Sequence, residues 1–239
     1  MSDSKSTQFL TTRWTLVADA SGPEDEGARR ALGTIFKDYW RPLYRYVRRT
    51  GKSPELAEDL VQGFFVHLLE ADGLRRADKE RGRFRAFLLA ALKNFMSNEW
   101  RRDHRQKRGG FSYHLSLDWQ DAESGLGLEL EDAHSPDIWF DRDWALALLD
   151  KVLNDMEQEE PEFGRWKSFL SLDRESLSYA EISKKFGMSE GAARVAVHRL
   201  RKRYRQRLRE EIAGTLDDPS LVEDEMQALF AALADDCSR

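Results

Sequence analysis

Apolar residues recur at three- and four-residue steps along most of the chain, which is the spacing of an amphipathic helix. Three such stripes lie in the first half, over residues 28–49, 54–70 and 83–105. Pro42 lies inside the first stripe and, because it lacks an amide hydrogen, predicts a kink or an interruption of that helix. Together the three helices predict one compact helical domain. The third stripe consists of Phe84, Phe87, Leu88, Ala91, Leu92, Phe95 and Met96.

The helical pattern stops over residues 107–135, where glycines and scattered acids favour an extended linker. It resumes at Ser135-Pro136. The sequence therefore predicts an all-α protein, with two small helical domains joined by an extended acidic linker. The expected segments are an N-terminal extension (1–27), a first domain (28–106), the linker (107–135), a second domain (136–209) and an acidic helical tail (210–239).

Within the second domain, residues 178–204 have the pattern of a helix-turn-helix. Ser178 and Glu181 form a capping box, Gly187 can take the positive φ that ends the first helix, and Ser189 caps the second. The second helix of this motif lies in the DNA major groove. Its expected buried stripe is Ala193, Val197, Leu200 and Tyr204. The residues expected to contact DNA are Ser189, Glu190, Arg194, Val195, His198, Arg199, Arg201 and Lys202. An ordinary helical hairpin with a basic surface is the alternative.

Charge is unevenly distributed, although the whole chain has a net charge of −5. Residues 75–108 contain twelve basic and four acidic side chains, and residues 194–209 contain eight basic and no acidic ones. The stretches 118–143 and 210–239 each have nine acids against one arginine. Two basic segments with acidic spacers suggest two contacts with nucleic acid. Charge alone also fits solvated helix faces, so both interpretations stay open at this point.

No pattern typical of catalysis, of a cofactor or of a metal site occurs in the sequence. There is no GxxxxGK[ST] loop, the five histidines are dispersed, and no nucleophile stands beside a base. The single cysteine, Cys237, excludes an internal disulfide and suits a reducing cytoplasm. No long apolar run and no signal-like start occur, so neither a membrane span nor secretion is expected. We expect a cytoplasmic, nucleoid-associated protein that is not an enzyme and binds no cofactor.

The segment GAARVAVHRLRKRY resembles the promoter-recognition helix of sigma factors, whose pattern is Gly-Thr-Val-x-x-x-x-His-Arg-Ala-Arg. Gly191, His198, Arg199 and Arg201 match this pattern. The resemblance implies that the second domain recognises the upstream (−35) promoter element.

The segment SPELAEDLVQGFF, from Ser53 to Phe65, is similar to the sigma motif Asp-Ala-Glu-Asp-Leu-Val-Gln-Glu-x-Phe, which docks on the clamp helices of core RNA polymerase. Gly63 stands where the family has Glu, and a glycine within a helix costs about 1 kcal/mol. An acidic and polar face also suits a basic partner. The polymerase contacts expected from the motif and from its neighbouring apolar positions are Glu58, Asp59, Gln62, Phe65 and Val66.

The segment from Phe84 to Arg105 resembles the sigma helix Phe-Arg-Ala-Trp-Leu-x-x-Ile-Ala-x-Asn, which recognises and opens the downstream (−10) element. Trp100 is a candidate for base stacking, although burial is the expected role of such a tryptophan. The residues expected to contact this element are Arg83, Asn94, Ser97, Asn98, Arg101 and Arg105.

The resemblance as a whole is to sigma-70 family factors of the extracytoplasmic-function (ECF) type, and it implies core RNA polymerase and promoter DNA as partners. The Thr-Thr-Arg-Trp opening, with the long linker, resembles a subgroup found in planctomycete-type bacteria. Control by an anti-sigma factor, by a regulatory kinase or by neither stays open.

Two other functions stay open from the sequence. One is a helix-turn-helix regulator that binds duplex DNA as a dimer without polymerase. The other is an interaction protein whose basic helices bind an acidic protein. The acidic tail is expected to pack on the second domain, and masking of the recognition helix is the alternative.

Overall fold

The computed structural model describes residues 26–70, 83–103, 119–124, 135–160, 162–170, 178–216 and 218–234. Its contacts divide the chain into two compact units. The first unit comprises residues 1–147 and 212–239, and the second comprises residues 148–211.

Three helices form the centre of the first unit: α1 (Glu26–Arg49), α2 (Pro54–Glu70) and α3 (Phe84–Asp103). Their buried side chains include Leu43, Phe64 and Leu88, as the apolar stripes predict. The expected interruption at Pro42 is wrong, because α1 continues through it and Pro42 itself is buried. A proline inside a helix removes one backbone hydrogen bond, and burial of the side chains around it offsets that loss.

The start of α2 is capped by Ser53. The Ser53 hydroxyl accepts a hydrogen bond from the amide of Leu56 at 3.3 Å, and Pro54 occupies the first helical position, where no amide hydrogen is needed.

The linker segment contains a helix that the sequence did not predict. The short α4 (Trp119–Ser124) lies against α1, with the Trp119 ring 5.0 Å from that of Trp40 and 5.2 Å from that of Tyr44. Ala122 is fully buried. The expectation of an extended chain is therefore wrong for these residues. A helix of under two turns is too short to show an apolar period.

Helix α5 (Pro136–Glu159) contributes residues to both units. Its residues up to Ala147 belong to the first unit, and Phe140 and Trp144 are buried there. Asp143 is also buried and pairs with Arg45 at 3.1 Å and with Arg49. Residue 136, where the sequence predicts the start of the second domain, is the first residue of α5. The division between the two units falls inside this helix, after Ala147.

The second unit contains α6 (Phe163–Trp166), a 3₁₀ turn (Lys167–Phe169), α7 (Tyr179–Phe186) and most of α8 (Glu190–Ala213). Ile182, Ala193 and Val197 form its buried cluster. The Trp166 ring stacks on the Phe186 ring with centroids 3.9 Å apart. Trp166, Phe169, Tyr179, Phe186 and Met188 pack around the cluster.

The acidic tail belongs to the first unit and not to the second, which corrects the expectation that it packs on the second domain. A 3₁₀ turn (Pro219–Leu221) leads into α9 (Val222–Ala234), which buries Glu225, Met226 and Leu229. None of the helices described has an apolar stretch long enough to cross a bilayer.

Candidate nucleic-acid interface

The helix-turn-helix of the second unit is built from three local signals, and the caps at Ser178 and Ser189 and the positive φ of Gly187 are confirmed. The Ser178 hydroxyl accepts from the Glu181 amide at 3.3 Å. Gly187 has φ 64° and ψ 35°, the left-handed conformation that ends α7. The Ser189 hydroxyl accepts from the Ala192 amide at 3.2 Å and so begins α8. The two helices are thus fixed at a three-residue turn by backbone geometry and caps.

The first half of α8 presents a cationic surface. Its predicted inward stripe is confirmed, because Ala193, Val197 and Leu200 are buried and Tyr204 is half-buried. The guanidinium of Arg194 lies 4.8 Å from the ring centre of Tyr179. Guanidinium and imidazole groups on such a face suit guanine acceptors and phosphate oxygens. The exposed residues of this surface are Ser189, Glu190, Arg194, Val195, His198, Arg199 and Lys202.

Arg201 departs from its predicted outward position. Its side chain is half-buried, and its guanidinium donates to the carbonyl oxygen of Phe169 at 3.3 Å. The reason is helical geometry: Arg201 lies four residues after the buried Val197 and so falls at the edge of the inward stripe. In this structure it connects α8 to the 3₁₀ turn.

The second half of α8 uses its cations within the unit. Arg203 pairs with Glu160 at 2.8 Å, and Arg207 pairs with Glu159. The basic run of residues 194–209 therefore has two parts. The first lies on the helix-turn-helix surface, and the second includes ion pairs with the end of α5.

In the first unit, α3 carries a polar face opposite its apolar stripe. Asn94, Ser97, Asn98 and Arg101 are all exposed. The Ser97 hydroxyl donates to the Lys93 carbonyl at 2.9 Å, which leaves its oxygen able to accept. Amide and guanidinium groups of this kind suit unpaired bases and phosphates. Arg105 lies outside the described residues.

Trp100 lies beside this polar face and is 61% exposed, so the expectation of burial is wrong. It stands three residues after Ser97, which places both on one side of α3. An exposed indole beside amide groups is an arrangement on which a base can stack.

The start of α3 is held by acids from other elements. Arg83 pairs with Glu225 of α9 at 2.7 Å. Arg85 is buried, pairs with Asp141 of α5 at 2.8 Å and with Glu225, and lies 4.5 Å from the ring centre of Trp144. No local pattern indicates these pairs, because their members are far apart along the chain.

The expected polymerase-docking face of α2 is only partly exposed. Asp59 is exposed and Glu58 and Val66 are half-buried, whereas Gln62 is 7% and Phe65 is 2% exposed. Phe65 lies 4.2 Å from Phe36 of α1, centroid to centroid. The predictions that Gln62 and Phe65 contact the polymerase are therefore corrected: both are core residues in this structure.

Adjacent phenylalanines in α2 are both buried because two helices pack on it. Phe64 contacts Phe95 of α3 at a centroid distance of 5.9 Å, while Phe65 faces α1. One apolar stripe along α2 predicts a single buried face, so the second contact is not visible in its sequence.

The acidic side chains of this face repel one another. Partial burial raises the pKa of Glu58, and the nearby carboxylates of Asp59, Glu55 and Glu123 raise it further. By contrast, the hydrogen bond from Arg48 lowers the pKa of Glu123. Arg48 donates to Glu123 at 2.9 Å, which fixes α4 on α1. A basic partner would relieve the repulsion around Glu58.

Within the part of the chain that the structure describes, no three His, Cys, Asp or Glu side chains gather as a metal site would require.

Two family models match the chain. Residues 35–106, which include α2 and α3, match Sigma-70 region 2, and residues 167–203, which include α7 and the first half of α8, match Sigma-70, region 4. No curated protein and no solved structure matches the chain significantly.

Proposed function

We propose that this chain, a sigma factor of the sigma-70 family that binds RNA polymerase and recognises promoters, divides promoter recognition between the exposed faces of α8 and α3. The observation that carries the proposal is the position of these two faces within the matched regions. Region 4 contains the helix-turn-helix, and region 2 contains both α2 and α3. Factors of this family initiate transcription without an enzymatic activity of their own.

The proposed −35 contacts are on the first half of α8. Arg194, His198, Arg199 and Lys202 supply donors to base edges and phosphates, while Val195 supplies an apolar contact. Ser189 and Glu190 lie at the N-terminus of α8, which enters the major groove in this motif. Arg201 is left out of the direct contacts because it is bonded to Phe169.

The proposed −10 contacts are on α3. Asn94, Ser97, Asn98 and Arg101 face outward, and Trp100 adds a ring beside them. Capture of unpaired bases by stacking and hydrogen bonding stabilises the open strand, so binding energy drives strand opening. A Trp100→Ala change is expected to weaken single-strand binding by about 1–3 kcal/mol, the usual value of one base stack.

The proposed docking surface for core RNA polymerase is the acidic part of α2. Glu58 and Asp59 are its charged members, and Val66 adds a half-buried apolar contact. The raised pKa of Glu58 supports this proposal, because crowded carboxylates gain from a cationic partner.

Finer statements rest on the resemblance alone. The Thr-Thr-Arg-Trp opening supports a planctomycete-type subgroup within the ECF factors. An anti-sigma factor and a regulatory kinase are two candidate regulators, and control by neither is the third option. Since its partners are core RNA polymerase and promoter DNA, we expect the chain to act in the cytoplasm, at the nucleoid.

Binding to core RNA polymerase and to promoter DNA tests the proposal against its alternative. We expect the chain to co-elute with core polymerase in gel filtration and to protect a promoter fragment from nuclease only when the polymerase is present. Specific protection by the chain alone, with no co-elution, would instead support a helix-turn-helix regulator that acts without polymerase.

A further inference from the structure

The tail after α8 returns to the first turn of α3. The Phe84 amide, one of the unsatisfied donors at the helix start, donates to the carbonyl oxygen of Thr215 at 3.3 Å. Arg83 and Leu216 form an isolated antiparallel bridge next to it. Thr215 and Leu216 are both buried, so this contact is part of the packed first unit.

Helix α9 then places one carboxylate against the two arginines that begin α3. Glu225 is 1% exposed and pairs with both Arg83 and Arg85. Arg85 has a second acid, Asp141, whereas Glu225 is the acid that contacts Arg83 at 2.7 Å. Met226 and Leu229 bury the apolar side of α9, which holds Glu225 in place.

A DNA phosphate would bind the Arg83 guanidinium through the same kind of charged hydrogen bonds. Arginine forms charged hydrogen bonds with phosphate as it does with carboxylate, so a carboxylate is a competing anion for the same guanidinium. The Arg83 side chain remains 44% exposed, so solvent and DNA can reach it from the side that Glu225 does not cover. Arg85 is too buried to contact DNA while α9 is in place.

We propose that the C-terminal segment from Thr215 to Ala234 is an intramolecular competitor of the −10 DNA, in which Glu225 occupies Arg83 until the DNA backbone displaces it. The inference rests on the proposed function, to whose −10 contacts on α3 it adds Arg83, the contact that the sequence predicts at the start of this helix. The alternative from the sequence was that the acidic tail masks the recognition helix α8. The contacts of Glu225 are instead with the two arginines at the start of α3.

The test measures binding of the full-length chain to fluorescein-labelled, mixed-sequence single-stranded DNA over a range of salt concentrations. Glu225→Gln keeps the shape of the side chain and removes its charge. Asp224→Asn removes one charge from the neighbouring exposed residue and is the matched control. Both changes are also made in an Arg83→Ala chain. A chain that ends at Leu216 keeps the Thr215 cap and serves as the second variant without Glu225.

We expect Glu225→Gln to bind about two- to fivefold more tightly, the range for release of one partly exposed ion pair. The plot of log affinity against log salt should steepen by about 0.7, the value for one added phosphate contact on a single strand. The chain that ends at Leu216 should also gain affinity. The gain from Glu225→Gln should vanish in the Arg83→Ala chain, because it acts through that arginine.

Three results would overturn the inference. The first is a gain in DNA affinity from Glu225→Gln no larger than that from Asp224→Asn, and the second is a gain that persists in the Arg83→Ala chain. The third is loss of helical circular dichroism in both Glu225→Gln and the chain that ends at Leu216. The last result would make the tail an inseparable part of the fold. Core-dependent transcription by the unchanged chain is measured in parallel. If the unchanged chain supports transcription and Glu225→Gln binds DNA no better than Asp224→Asn, the inference alone fails. If the unchanged chain supports no transcription, the proposed function fails.

Discussion

Arg199 and Arg201 are two residues apart on α8, and the structure predicts opposite consequences for their loss. Arg199 is exposed on the helix-turn-helix surface, whereas Arg201 is half-buried and bonded to the Phe169 carbonyl at 3.3 Å. We therefore expect Arg199→Ala to weaken promoter binding with no loss of stability, and Arg201→Ala to destabilise the second unit. Because both changes remove one arginine from the same helix, each is the control for the other.

The magnitudes follow from the contacts that each side chain makes. An arginine that bonds a guanine contributes about 1–3 kcal/mol of discrimination at one base pair, and a phosphate contact contributes a salt slope of about 0.9. For Arg201, a hydrogen bond from a charged donor contributes about 1.5–3 kcal/mol to folding. In a unit the size of residues 148–211, each lost kcal/mol lowers Tm by about 4–8 °C.

Two assays separate these effects. Transcription from promoters with single −35 substitutions measures the loss of recognition, and hydrogen exchange over α7 and α8 measures the stability of the second unit. Unchanged hydrogen exchange in Arg201→Ala, together with a loss of promoter recognition as large as that of Arg199→Ala, would contradict the opposite roles of these two arginines.

Three further outcomes are expected. Gly187→Ala should lower the unfolding free energy by about 1–2 kcal/mol, because a residue with a Cβ is strained at the left-handed φ of 64°, although no atom lies within 4 Å to clash with that Cβ. Gly187→Asn should lose less stability in denaturant titrations, because asparagine tolerates this conformation better. Equal losses would argue against backbone strain as the cause. Glu58→Gln should weaken core polymerase binding about two- to fivefold in surface-immobilised titrations, whereas Asp155→Asn, at an exposed residue of α5, should not. Because the pKa of Glu58 is raised, docking should also weaken as the pH falls through that pKa. Docking that does not change with pH would contradict this role of Glu58. Burial raises the pKa of Tyr204 to about 12, so its contribution to stability is complete below the ordinary value of about 10 and is lost as pH rises towards 12. Alkaline unfolding followed by circular dichroism should therefore shift in Tyr204→Phe, and an unchanged midpoint would show that another group controls it.

The parts of the fold that sequence predicts well are those fixed by neighbouring residues. Ser178, Gly187 and Ser189 act on amides and carbonyls within five residues of themselves, so their roles are visible in the sequence. The apolar stripe of α3 is visible for the same reason, since a helix repeats its faces at a fixed period.

The parts that sequence could not predict depend on which elements meet in three dimensions. Phe65 is buried because α1 covers it, and its spacing within α2 contains no information about α1. Glu225 reaches Arg83 only because the tail joins the first unit. The acidic composition of the tail suggested the recognition helix α8 as its alternative partner, whereas Glu225 pairs with Arg83 and Arg85 at the start of α3.

Selection of active promoters from a randomised library, with core RNA polymerase and this chain as the only other protein, tests the central claim most directly. We predict transcripts whose templates share two conserved blocks at a fixed spacing. Lys202→Ala should relax only the upstream block, and Asn98→Ala only the downstream one. Transcription no higher than that of core polymerase alone, or enrichment of a single block that both changes affect equally, would contradict the account.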